Sequence, residues 1–232
     1  MKKLGILIFI IAIIVGVAFS GLFSFGRASG KLFTFSIGSS VHGSGNVASE
    51  VRGVEGFTGV DVSNVFEVDM TAGKDFSVEV HADDNLLPYI KTEVRGEVLH
   101  IETTEGIKSK SPLRVTITAP EISSINASGA SKIAASGVTS SALEVDASGA
   151  SKLKISGDVT EVRIDVSGAS SVDAESLKSR VASVDASGAS KVSVNVSERL
   201  ASHASGASKV SYSGNPGSVE KDVSGASKIT QN

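Results

Sequence analysis

The chain has 232 residues, 41% hydrophobic but only 5% aromatic, with no tryptophan and 24 glycines, so any core must be built mainly from Val, Ile, Leu and Ala. A formal charge of −3, which becomes −5 for residues 4–232, and the lack of any lysine–arginine run argue against a nucleic-acid partner. With no cysteine, a lipidated N-terminal Cys and a disulfide framework are excluded, and an exported protein must be held together by backbone pairing instead.

In chain order, Lys2 and Lys3 precede "LGILIFIIAIIVGVAFSGLFSFG", and the next charge is Arg27. Residues 1–26 therefore read as an N-terminal hydrophobic helix, either a signal peptide or a membrane anchor. Ala18 and Ser20 suit cleavage before Gly21, whereas the apolar run through Phe25 suits a retained anchor. Both alternatives place the rest outside the cytoplasm. Residues 27–50 are a Gly/Ser-rich tether in which Phe33, Phe35 and Ile37 alternate like one strand.

Residues 51–125 are predicted as an irregular β-rich part, because "FTGVDV", "NVFEVDMT", "DFSVEVHA", "EVLHIETT" and "LRVTITAP" place apolar residues two apart. "DDNLLPYI" reads as a short helical turn capped by Asp83 or Asp84. That cap explains "HADDN" (His81 to Asn85) better than a metal cluster does. Glu105 to Pro112 is a polar loop and a candidate binding tip, while spacing suggests no partner for His42 or His100.

From residue 126 to residue 232 one motif dominates. Ser-Gly-Ala-Ser begins at Ser128, Ser148, Ser167, Ser187, Ser205 and Ser224, at intervals of 20, 19, 20, 18 and 19 residues. The residue before each first serine (Ala127, Ala147, Val166, Ala186, Ala204, Val223) is apolar and should point inward. So should Ile133, Leu153, Val172, Val192, Val210 and Ile229, followed by Ala135, Ile155, Ala174, Val194 and Tyr212. Flanking these are polar columns that should face water: Asn126, Asp146, Asp165, Asp185, His203 and Asp222 on one side of the motif, and Lys132, Lys152, Ser171, Lys191, Lys209 and Lys228 on the other. About 19 residues per turn, with alternation on both sides of a Ser-Gly corner, predicts an all-β parallel β-helix (β-solenoid) whose coils stack about 4.8 Å apart. Glycine permits a positive φ at the corner, and the serines can bond to corner backbone and to the serine above.

The repeated "SGASK", together with "GSGNV" (Gly43 to Val47), "RGVEGFTGV" (Arg52 to Val60) and "ADDNLLPYIKTEV" (Ala82 to Val94), resembles the head GIN domain family of auto-transporter adhesins in bacterial envelopes. The resemblance covers roughly residues 44–232 and implies a right-handed, single-stranded parallel β-helix in the periplasm or at the cell surface. It transfers no catalytic residue.

The function expected is a non-enzymatic envelope protein with no cofactor, presenting repetitive faces to a cell-surface glycan or an envelope protein. The candidate ligand-binding face consists of Asp146, Asp165, Asp185, His203 and Asp222 with Lys132, Lys152, Lys191, Lys209 and Lys228. Two alternatives are a polysaccharide-active β-helix enzyme, with His203 between Asp185 and Asp222 as acid or base, and an envelope-stress or assembly component that binds a protein. One carboxylate per coil supplies too few oxygens for calcium, so no metal is assigned. The last motif stops partway through a coil at Asn232, and the predicted end is shielded by the loop Ser213 to Ser218 or docked on a second copy as a homodimer.

Overall fold

The computed structural model describes residues 40–232. The leader, most of the tether and the alternating Phe33, Phe35 and Ile37 lie outside the described residues. After β1 (Val41–His42) and β2 (Val47–Arg52), the strands β3 (Gly59–Val62) and β4 (Glu67–Ala72) make a first rung. It turns at Asn64, whose φ is 74°. β5 (Ser77–Asp83), a 3-10 turn (Asp84–Tyr89) and β6 (Ile90–Arg95) lead to a second rung formed by β7 (Val98–Thr103) and β9 (Arg114–Ala119). Between them, β8 (Ile107–Lys108) pairs with β1.

The order of these rungs in space differs from their order in the chain. β3 and β4 lie parallel on β7 and β9 along one edge. Along the other edge they pair in parallel with β10 (Ser124–Ala127) and β11 (Lys132–Ala147). The rung made first is thus enclosed between the next two. Antiparallel additions finish the N-terminal end, with β6 on β7, β5 on β9 and β2 on β5. The segments read as strands from their alternation are strands. What makes this region irregular is their order and an Asn corner in place of Ser-Gly.

The helical turn forms where predicted, but Asp83 makes no side-chain capping bond to it. Asp83 is fully buried, and its Oδ2 accepts the Lys110 N–H at 2.9 Å and the Ser109 hydroxyl at 3.4 Å. These donors, the Lys110 amide foremost, hold the carboxyl below the usual carboxylate range. Gly43 packs so closely that a Cβ there would fall 1.7 Å from this oxygen. "HADDN" therefore ties loops together.

The regular stack continues through β12 (Lys152–Val166), β13 (Ser171–Ala186) and β14 (Lys191–Ala204). It ends in β15 (Lys209–Ser213), β16 (Ser218–Val223) and β17 (Lys228–Gln231). All of these pairings are parallel. Every inward residue predicted between Ala127 and Tyr212 is buried, none more than 4% exposed. Val223, in the last coil, is 46% exposed because no further rung covers it. At Thr160–Glu161 the bend is marked by two successive exposed residues, after which the alternation resumes.

The corner glycines answer to two requirements. Their φ values lie between 71° and 76°, and each also meets the carbonyl of the corner below: a Cβ on Gly149 would sit 2.5 Å from the Gly129 oxygen. That carbonyl already accepts the Ala150 N–H at 2.8 Å. The two serines of the motif divide their work. The second one turns inward, at most 2% exposed from Ser131 to Ser208; the Ser151 and Ser208 hydroxyls donate to the Ser148 (2.8 Å) and Ala186 (3.1 Å) carbonyls, Ser170 Oγ accepts the Ser151 N–H at 3.3 Å, and Ser190 Oγ has no partner among the described residues. The first points outward, and the predicted contact between serines of successive coils occurs at Ser128 and Ser63 (3.3 Å).

At the C-terminal end two of the inward columns turn polar, at Lys221 and Gln231, while Val219, Val223 and Ile229 keep the others apolar. Lys221 continues the column of Val145, Ile164, Val184 and Ser202, and its Nζ lies 4.7 Å from the centre of the Tyr212 ring. Gln231 stands next to Tyr212 in its column and donates to the Gly214 carbonyl at 3.1 Å, so the loop Ser213 to Ser218 takes part in closing the end. An inward charge disfavours the addition of another apolar rung.

Candidate functional site

Parallel pairing in register turns a sequence column into a line of side chains. Asn126, Asp146, Asp165, Asp185, His203 and Asp222 are successive Cα partners. On the other side of the corner, Lys132, Lys152, Ser171, Lys191, Lys209 and Lys228 are likewise partners in sequence. All the predicted site residues thus fall into two rows. They do not make one face, because the Ser-Gly corner divides them, and among the described residues no lysine of the second row is ion-paired to an aspartate of the first.

The acidic side carries one arginine of its own. Arg163, two residues before Asp165 and hence on the same face, donates from Nε to Asp165 Oδ2 at 3.0 Å. A second nitrogen of Arg163 lies 3.7 Å from Asp185. His203 Nδ1 and Asp222 Oδ2 are 2.9 Å apart. The row also extends downward, through Asp61 paired in register with Asn126, to His100, whose Nδ1 lies 3.1 Å from Asp61 Oδ2. Spacing could not reveal this partner of His100, since it comes from the rung placed out of chain order. The groove along Asp146, Asp165, Asp185 and His203 encloses about 270 Å³. Among the described residues, no three His, Asp or Glu side chains converge as metal ligands.

Partial burial, then the neighbouring Asp165 and Glu144 charges, push the Asp146 carboxyl above its ordinary range. A raised folded-state value means that the fold disfavours the ionised form. The penalty is complete above the folded value and disappears below the unfolded one, about 3.9. Asp146→Asn is therefore expected to raise Tm at neutral pH, by on the order of 1 °C for a group this exposed. The gain should vanish as the pH falls through the carboxylate range in thermal scans.

The lysine side is different. Glu67 pairs at the N-terminal end with Lys132 (3.0 Å) and Arg114 (3.2 Å), and the Lys132 bond leads the causes that lower its carboxyl. Beyond it, Lys152, Lys154, Lys191, Lys209 and Lys228 are exposed and have no ion pair among the described residues. Asp173, Ser193, Ser211 and Thr230 form the next outward column, in which the Ser193 and Ser211 hydroxyls are 3.0 Å apart.

Stacked coils, glycine corners and two outward charge rows define a β-solenoid protein with extended rather than enclosed surfaces. The family model described as "Putative auto-transporter adhesin, head GIN domain" matches residues 56–216, and the chain belongs to that family. Among solved structures, a "putative adhesin" from Bacteroides fragilis NCTC 9343 is similar with a TM-score of 0.70 at 16% identity, covering 83% of this chain and 100% of that one. A "putative adhesin" from Parabacteroides distasonis ATCC 8503 gives 0.54 at 18% identity, covering 84% and 100%. A "putative lipid binding protein" from the same organism gives 0.54 at 17% identity, with the same coverage. At these identities the likeness is one of fold. No curated protein matches the chain.

Proposed function

We propose that this chain is a non-enzymatic, adhesin-like module of the bacterial cell envelope, exported by its N-terminal segment and attached through it if that segment is not cleaved. The supporting observation is membership of an adhesin family, combined with side-chain rows that repeat in nearly every coil. A repeated surface suits many weak contacts acting together, whereas catalysis needs one exceptional constellation. The partner under this reading is a glycan of the cell surface, with an envelope protein as the other class. Glycan arrays probed with the full chain test it. Saturable retention on cell-wall or capsular polysaccharides, without release of shortened products, is expected. Uniformly negative arrays, with an envelope protein recovered from membranes instead, would overturn the glycan assignment.

A further inference from the structure

We infer that the lysine row is the ligand-binding side of the solenoid and that its ligand is a linear acidic polysaccharide lying along the stack. This inference rests on the glycan-binding function proposed above, and it narrows both the face and the ligand class.

The first argument is charge balance. On the acidic side Arg163 stands between Asp165 and Asp185 and the His203 ring lies beside Asp222, while Asp146 has no ion pair among the described residues. Lys152, Lys191, Lys209 and Lys228 have no such partner among the described residues. Successive rungs are about 4.8 Å apart, within the ~8 Å screening length of physiological salt, so neighbouring ammonium groups repel each other unless an external anion lies over them. A second copy offering its own acidic row would first have to give up the Arg163 pairs, which makes it a poorer counter-surface than a free polyanion.

The second argument is shape and chemistry. Lys191, Lys209 and Lys228 on successive rungs, with Ser171 between them and Lys152, require a ligand that brings a negative group at similar short intervals along a line, as a polymer with a carboxylate on each sugar does. Beside the lysines runs the column of Asp173, Ser193, Ser211 and Thr230, in which the half-buried Ser193 and Thr230 hydroxyls can bond to sugar hydroxyls while Ser211 is buried. No aromatic ring occupies either column, so stacking on the apolar face of a neutral sugar is not available, and charge must supply the selectivity. Near the N-terminal end Ala134, standing in register between Asp69 and Lys154, opens a groove of about 390 Å³ lined by Glu67 and Asp69 as well as by Arg114, Lys132, Lys152 and Lys154; Glu67 pairs with Arg114 and Lys132, so Lys152 and Lys154 are its cations without an ion pair among the described residues. This groove would seat one end of the polymer.

The test measures binding of the full chain to polygalacturonate oligomers and to dextran. Polygalacturonate should bind and weaken steeply with added salt, while dextran should not bind. The triple variant K191Q/K209Q/K228Q should lose roughly tenfold or more in affinity. D165N/D185N should bind at least as well as the parent. Far-ultraviolet circular dichroism of each variant separates lost binding from lost fold. Retention of dextran, or loss of polygalacturonate binding in the folded aspartate variant alone, would overturn the lysine-row inference and leave the adhesin function standing. Absence of binding to both polymers, with retention on other array glycans, would overturn only the ligand class. Absence on every glycan would overturn the glycan-binding function itself. Salt-sensitive self-association abolished by the lysine variant would assign the row to a second copy instead.

Discussion

Gly168→Ala is expected to destabilise the solenoid by on the order of 3–5 kcal/mol. Gly168 has a φ of 71°, where a side chain alone costs about 1–2 kcal/mol. The added Cβ would lie 2.6 Å from the Gly149 oxygen and 3.2 Å from its nitrogen, and this backbone cannot swing aside as a flexible side chain could. Relief by separating the coils would stretch the bond from the Ala169 N–H to Gly149 (2.8 Å) and the one from Ser171 to Ser151 (2.9 Å). Ala169→Ser, at the exposed next position, is the matched control and should stay within about 0.5 kcal/mol. Urea titration followed by circular dichroism reads both. Coincident midpoints for the parent and the glycine variant would contradict the close corner packing.

Lys221→Val combined with Gln231→Val is expected to convert the chain from one that stays separate at its C-terminal end into one that associates end to end. Both residues occupy inward columns, above Ser202 and Tyr212 and then the aliphatic Val184 and Val194, and the Lys221 ammonium over Tyr212 keeps the end polar. Val219, 38% exposed, and Val223 already stand on β16, which is bonded only to β14. Two more valines would complete an apolar end surface with unpaired strand edges, a surface that promotes association. Sedimentation velocity of parent and variant at matched concentrations checks this. The expected result is larger species for the variant alone. A parent that is already dimeric through this end would favour docking on a second copy, and a variant indistinguishable from a monomeric parent would deny Lys221 and Gln231 a capping role.

The regular stack was legible because one coil teaches the next: six copies aligned on Ser-Gly-Ala-Ser separate inward Ile133, Leu153 and Val172 from outward Lys132 and Lys152 without any coordinates. Contacts between coils were not. The second constraint on the glycines arises only when Gly129 lies beneath Gly149, and which serine turns inward depends on how the corner closes. The division of charge was half visible. Both rows and the Ser-Gly corner between them follow from the aligned repeats, whereas the bridge from Arg163 to Asp165 and Asp185 depends on how the side chains of neighbouring coils meet. Nothing in the spacing could place Asp61 beside Asn126 or His100 beside Asp61, because local alternation fixes a strand but leaves the order of rungs to long-range pairing.

The physical core of the account is that the corners stand in a single file, one rung apart. Since the chain has no native cysteine, spin labels on cysteines introduced at the exposed corner alanines report this directly. Pulsed dipolar measurements of Ala130 paired with Ala189, Ala207 or Ala226 should give mean backbone separations of about 14, 19 and 24 Å, three to five rungs at about 4.8 Å each. Separations that fail to lengthen by one rung per coil would contradict the single file, and with it both charge rows.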